Sequence, residues 1–153
     1  MANTFSQIYI QIVFAVQSRQ NLINSEWKDE LYKYITGIVT NHNQKLIAIG
    51  GVADHIHILI GFKPNFEISK LAQEIKANSS RFINKKQFVR GRFSWQEGFG
   101  AFSYSRSQLD VVIRYIQNQE KHHSKKSFKQ EFVEFLEHFE IEYEEKYLFE
   151  WID

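Results

Sequence analysis

Residues 7–16 alternate without a break: Ile8, Ile10, Ile12, Phe14 and Val16 fall on one side, and Gln7, Tyr9 and Gln11 on the other. A period of two residues marks a strand with one buried face and excludes a helix over this stretch. The run His55–Phe62 repeats it, and Lys45–Val52, across the short Ala53-Asp54 connection, completes a β-hairpin. The intervening segments carry helical spacing instead. Ser25 opens a helix with Glu26 in its first turn and Trp27, Leu31, Tyr34, Ile35 and Ile38 following. Ile68, Leu71, Ala72, Ile75, Phe82 and Ile83 define a second amphipathic helix. Phe93–Trp95 and Phe99–Tyr104 read as short strands around a Gly98–Gly100 turn. Ser107-Gln108-Leu109-Asp110 is a capping-box pattern for a third helix reaching about Lys121. Ser127 starts a fourth, with Phe128, Phe132, Phe135 and Phe139 on one stripe that reads as core or a dimer contact. The order β-α-β-β-α-β, then helices, predicts an α+β architecture: an antiparallel sheet with helices on one face. Its polar face is left for a ligand or a second chain.

With 153 residues, 43% hydrophobic and 24% charged, the chain is expected to form one domain over 1–153 with a real core, not a disordered segment. No uncharged apolar stretch approaches the ~20 residues that cross a bilayer. The first residues show no basic segment followed by an apolar block, so a cytoplasmic protein without a membrane partner is expected. The absence of Cys excludes disulfides, thiolate metal sites and a Cys nucleophile. The net charge of +1 conceals a strong asymmetry. Lys63–Trp95 holds eight basic and two acidic residues, whereas Gln130 to the end holds nine acidic residues and one Lys. A basic middle suits an anionic partner, although a solvated surface explains it equally well.

Two constellations could do chemistry. In Asp54-His55-Ile56-His57-Ile58-Leu59-Ile60, strand alternation puts His55 and His57 on one face and the isoleucines on the other. Such imidazoles can share one metal ion, or be a pair of surface histidines. On the third helix, Leu109, Val112, Ile113 and Ile116 form the buried stripe, and Tyr115 and Gln119 stack four apart on its flank. Tyr115 there is either a packing residue or a group reaching a site on the sheet. A phenol can attack phosphorus when a cation neutralises the non-bridging oxygens. Walker, G-x-S-x-G and H-E-x-x-H motifs are all absent.

Taken together, Gly50-Gly51-Val52-Ala53-Asp54-His55-Ile56-His57-Ile58-Leu59-Ile60, Ile75–Ile83, Trp95-Gln96-Glu97-Gly98-Phe99-Gly100-Ala101-Phe102-Ser103 and Tyr115-Ile116-Gln117-Asn118-Gln119 resemble the HUH single-tyrosine transposases of small bacterial insertion sequences, repeat-associated tyrosine transposases included. The matches run in family order over about residues 5–123, leaving an acidic helical tail at about 127–153. The resemblance implies a ferredoxin-like sheet similar to an RNA-recognition domain, with extra C-terminal helices. It implies cleavage and rejoining of single-stranded DNA at element ends, without ATP. His55 and His57 match the pair that binds Mg²⁺ or Mn²⁺, and Gln119 the third ligand. Tyr115 matches the nucleophile, which stays on the DNA 5′ end while a 3′-OH is released. The family acts as a homodimer, commonly with the tyrosine helix of one subunit serving the other's site, and recognises DNA hairpins. Lys70, Lys76, Arg81, Lys85 and Lys86 then become candidate phosphate contacts, and Arg106 and Arg114 candidate neutralisers beside the catalytic helix. Trp95 or Phe99 could stack on an unpaired base, or pack in the core. His122 and His123 are expected in solvent or on phosphate.

Two rivals predict different behaviour. A non-catalytic single-strand-binding module needs the basic helix but not Tyr115, Gln119 and both histidines together. A metal-dependent hydrolase using water would keep cleaving after Tyr115→Phe.

Overall fold

In the computed structural model, which describes residues 5–119, 127–140 and 142, four strands form one antiparallel sheet in the order β2-β3-β1-β4. The elements are β1 (Tyr9–Ala15), α1 (Lys28–Asn41), β2 (Lys45–Val52), β3 (His55–Gly61), α2 (Ile68–Lys86), β4 (Gly100–Tyr104), α3 (Leu109–Gln117) and α4 (Phe128–His138). This is the ferredoxin-like βαββαβ arrangement with added helices. Among the described residues no helix is long and apolar enough to cross a membrane.

The strand alternation sorts side chains as their spacing requires. Ile10, Ile12 and Phe14 of β1 join Ile56, Ile58 and Ile60 of β3 against Leu31 and Ile35 of α1 and Leu71, Ile75 and Ile83 of α2. Each fully buried aliphatic chain here contributes about 1.5–3 kcal/mol. The opposite face is covered too. Val112 and Ile116 of α3 pack on Ala48 and Leu59, while Phe132 and Leu136 of α4 pack on Val13, Ala15 and Phe102. The open polar face expected from the strands is therefore absent: the apolar stripes of α3 and α4 need a surface to bury, and this face supplies it.

Three local expectations are revised. α1 starts at Lys28 after a turn in which Asn24 Oδ1 accepts the Glu26 N–H at 2.9 Å, so the entry is organised by Asn24 and not Ser25. The capping box before α3 is Ser105 with Gln108, whose Oε1 accepts the Ser105 N–H at 2.8 Å; a short 3₁₀ turn precedes the helix, which closes at Gln117. Phe93–Trp95 is not a strand: Trp95 makes a single bridge to Val16, and β4 begins only at Gly100. Asn84 holds this segment instead, bonding the Phe93 carbonyl (3.0 Å) and the Phe93 N–H (2.7 Å). The helix expected at Ser127 is present with its capping box to Gln130. His122, His123 and most of the tail lie outside the described residues.

Gly50 sets how closely α3 approaches β2. A Cβ there would run into the Ile116 carbonyl oxygen, a backbone atom that cannot swing away. Gly50→Ala should lower stability by about 1–3 kcal/mol through overpacking, read as a fall in the thermal midpoint. Gly37→Ala, where an added Cβ meets nothing within 4 Å, should not lower it.

Candidate metal and nucleophile centre

His55 and His57 lie on the α3/α4 side of β3, both fully buried. Their backbone register is set by neighbours on both sides: His57 faces Val13 of β1 and Gly50 of β2, and His55 faces Ala15 and Val52. The rings sit 5.1 Å apart between centroids.

Each imidazole has one nitrogen committed. His55 Nδ1 is 2.7 Å from Asp54 Oδ1, and His57 Nδ1 is 2.8 Å from Gln11 Oε1. Both partners are acceptors, so in the neutral rings Nδ1 carries the proton and Nε2 presents its lone pair to the site. Gln11 is itself fully buried and fixed by its amide, which donates to the Tyr104 hydroxyl at 2.8 Å. Burial lowers the pKa of His55, opposed by the Asp54 hydrogen bond, which further favours a neutral ring.

Oxygen atoms converge on these two Nε2 atoms. Glu131 Oε1, from α4, is 2.9 Å from His57 Nε2 and 3.8 Å from His55 Nε2. Gln119 Oε1, just past α3, is 3.3 Å from His55 Nε2. The Gln119 amide donates to the Tyr115 carbonyl at 3.1 Å, which turns its oxygen inward. His57 Nε2 nevertheless makes no hydrogen bond to a described residue: with the ring proton on Nδ1, its lone pair faces the Glu131 oxygen, itself an acceptor. A buried lone pair left unsatisfied beside a carboxylate costs about 1–3 kcal/mol, and a cation held by both atoms removes that cost. His55, His57 and Glu131 form a group that could hold a metal ion, with ligand atoms all within 4.8 Å of one another. Two imidazoles and a carboxylate suit a divalent ion.

Tyr115 stands beside this group. Its ring is 5.8 Å from His57 and perpendicular to it, and 5.8 Å from Phe135 of α4. Burial raises the pKa of its hydroxyl, as do the charge of Glu131 and a hydrogen bond to it, so the resting phenol is protonated. Tyr104, bonded to Gln11, is pushed up to about 12, mainly by burial.

The structure thus brings Tyr115, His55, His57 and Gln119 together, all from one chain, and adds Glu131. Glu131 stands in the acidic tail outside the stretch that resembles the family, to which the sequence assigns no role. The available signal was its spacing: it stands four residues before Phe135 and next to Phe132, on the apolar side of the helix. The basic residues of α2 are not brought to the centre. α2 packs on the other sheet face, where Lys70, Arg81, Lys85 and Lys86 are exposed. Lys76 is turned to a structural task, donating to the carbonyls of Gln96 (2.5 Å) and Gly98 (2.8 Å). Arg106 and Arg114 are exposed before and on α3. Trp95 is core, edge-on to both Phe14 and Phe93 at 4.8 Å, whereas Phe99 is only half-buried.

The family model described as "Transposase IS200 like" matches residues 4–119. The ISDra2 transposase TnpA of Deinococcus radiodurans is 20% identical over 118 residues, covering 74% of this chain and 84% of that protein. A crystal structure assigned to a transposase from Deinococcus radiodurans R1 superposes with a TM-score of 0.60 at 22% identity, covering 78% of this chain and 95% of that one. A REP-associated tyrosine transposase bound to a REP hairpin gives a TM-score of 0.56 at 13% identity, covering 76% of this chain and 68% of that one. At these identities the two structures speak for the fold. Glu131 and α4 lie beyond the matched residues.

Gln11→Leu removes the acceptor of the buried His57 N–H. It should cost about 1–3 kcal/mol of stability and weaken Mn²⁺ binding about 10–100-fold, measured by thermal melting and by titration followed with electron paramagnetic resonance.

Proposed function

The chain belongs to the IS200-like transposase family, and on that premise we propose that it cuts and rejoins single-stranded DNA through a phosphotyrosine formed on Tyr115. The observation that carries this reading is the placement of the Tyr115 ring against His57, with its hydroxyl bonded to Glu131. A nucleophile, a proton acceptor and two imidazole lone pairs then surround one point.

In this reading Tyr115 Oη attacks the scissile phosphorus. The P–O bond to the 3′ oxygen breaks: the upstream fragment leaves with that oxygen, which takes up a proton in place of the one the phenol gives up and becomes a free 3′-OH, while the phosphate at the 5′ end of the downstream fragment stays on the tyrosine. The phenolic proton passes to Glu131, to which it is already bonded. Rejoining is the reverse: a 3′-OH attacks the phosphotyrosine and the phenol is regenerated, so no outside energy source is needed. Burial of the centre keeps water from hydrolysing the ester. Entry of a phosphate requires Phe135, which lies edge-on to both Tyr115 and His57, to swing aside.

His55, His57 and Glu131, with Gln119 beside them, would hold Mg²⁺ or Mn²⁺. A bound ion of this kind neutralises phosphate oxygens and favours departure of the 3′-oxygen. The substrate is taken to be single-stranded DNA with hairpins at the element ends, a reading favoured by the REP-associated relative bound to a REP hairpin. A homodimer and a cytoplasmic location are carried over with the family reading. One chain already sets its own Tyr115 on its own His57, which favours action in cis.

End-labelled single strands covering the gene's flanks, incubated with protein and Mn²⁺, should yield an adduct that survives denaturing electrophoresis. Tyr115→Phe should abolish the adduct and leave hairpin binding within about twofold, and His57→Ala should cut its rate by at least about 100-fold. Cleavage persisting in Tyr115→Phe would make water the nucleophile. Hairpin binding with no adduct in the wild type would leave a binding module. Separately, Glu131→Gln should weaken Mn²⁺ binding about tenfold or more in the calorimeter.

A further inference from the structure

A second feature lies away from the metal group, along the solvent side of α2. The segment from Gln87 to Phe99 runs back beside that helix and leaves two adjoining cavities between them. One, of about 470 Å³, is lined by Ser69, Gln73, Lys76, Trp95, Glu97 and Phe99 among others. The next, of about 820 Å³, includes Arg81, Asn84, Val89, Gly91 and Arg92. Ala77, Ser80 and Ser94 line both, so the two form one continuous groove.

The groove is built and held open by specific bonds. Lys76 clamps the Gln96 and Gly98 carbonyls, the Trp95 indole donates to Ser79 Oγ at 2.9 Å, and Asn84 pins Phe93 through both backbone groups. Three anchors on α2 fix the opposite wall, so a ligand entering does not have to order it. The ends differ in character. The Phe99 end offers a half-buried aromatic ring beside serine and glutamine side chains, with the Glu97 carboxylate at its mouth. That end repels phosphate and suits a flat, hydrogen-bonding ring. The other end offers the exposed Arg81 and Arg92, neither in an ion pair with a described carboxylate, and suits phosphate. An aromatic contact at one end of a groove and cationic contacts at the other suit a base and the phosphates of an unpaired nucleic-acid strand. The wall is also tied to the sheet: the Gln96 N–H donates to the Ala15 carbonyl at 2.9 Å.

We propose that this groove seats an unpaired stretch of the DNA strand, one base stacked on Phe99 and neighbouring phosphates on Arg81 and Arg92. The proposal rests on the single-strand reading above and adds where the strand lies outside the metal group. Sequence preference at the stacked base would then come from the Ser94–Phe99 wall, while the arginines supply affinity that falls with salt.

The test uses the full chain and two fluorescent probes: a short single strand of mixed sequence, and the same strand made abasic throughout. Anisotropy should show the wild type binding the first about tenfold more tightly, the range set by stacking one base. Ala77→Trp, at an exposed helix position on the groove floor, should fill the groove and erase that preference while the thermal midpoint is retained. Arg92→Ala should weaken both probes alike and lower the salt slope by about 0.7. If Ala77→Trp keeps the wild-type preference, or the wild type has none, the groove assignment is wrong, and the adduct assay still decides the strand-transfer reading by itself. If adducts never form yet the preference is lost in Ala77→Trp, the groove stands and the strand-transfer reading falls.

Discussion

Two imidazoles fully buried on one face of β3 set the terms for the rest of the molecule. A buried ring nitrogen must find a partner or cost about 1–3 kcal/mol, and each Nδ1 has one. Asp54 answers His55 from the adjoining residue. Gln11 answers His57 from the neighbouring strand and is itself fixed by Tyr104 on the strand beyond. The chain of bonds β3–β1–β4 runs at right angles to the strands, so the backbone register that pairs Val13 with His57 also aims the His57 lone pair. A site assembled this way is aligned by the sheet, not by loops, and loses its alignment only if strand pairing fails.

Much of this was legible because strand alternation is strict. Period two assigns Ile56, Ile58 and Ile60 to one core and His55 and His57 to the other side before any tertiary contact is known. The four-residue spacing of Tyr115 and Gln119 likewise places both on one flank of the chain's turn. Glu131 was not legible in the same way. Its histidine partners lie more than seventy residues away in sequence, and within its own segment it is one glutamate among many. Its place on the apolar side of the helix sets it apart from its neighbours, but the packing of Phe132 and Leu136 on Phe102 and Val13 is what brings it to the histidines. The strand expected at Phe93–Trp95 failed for a related reason: both backbone groups of Phe93 are taken by Asn84 of α2 and the Trp95 indole by Ser79, leaving one bridge to Val16.

The open sheet face was the larger misreading, and its cause is quantitative. Polar residues at alternate positions mark an exposed face only if nothing else needs that surface. Here the added helices carry Val112, Ile116, Phe132 and Leu136, all buried. Burying four such chains at about 1.5–3 kcal/mol each outweighs desolvating a few polar groups that are already hydrogen-bonded. The same packing converts a surface pair of histidines into a dry centre in which charge interactions are stronger than in water.

The fold separates two tasks on two sides of one sheet. On the α4 side the polar groups are buried among apolar chains, with the His57 Nε2 lone pair turned into the metal group; on the α2 side the surface is cationic and open. Lys76 shows why net charge along the sequence was a poor guide to contacts. It belongs to the basic run, yet burial lowers its pKa and its ammonium is engaged by two carbonyls, so it shapes the groove wall instead of meeting phosphate. Arg81 and Arg92, equal to it in formal charge, remain at the surface. What distinguishes them is where the 87–99 segment finds hydrogen bonds: the carbonyls of Gln96 and Gly98, outside the sheet on either side of the bend at Glu97, take theirs from Lys76. The same bonds from α2 that replace the expected strand pairing therefore shape the groove, with Lys76 as one of them.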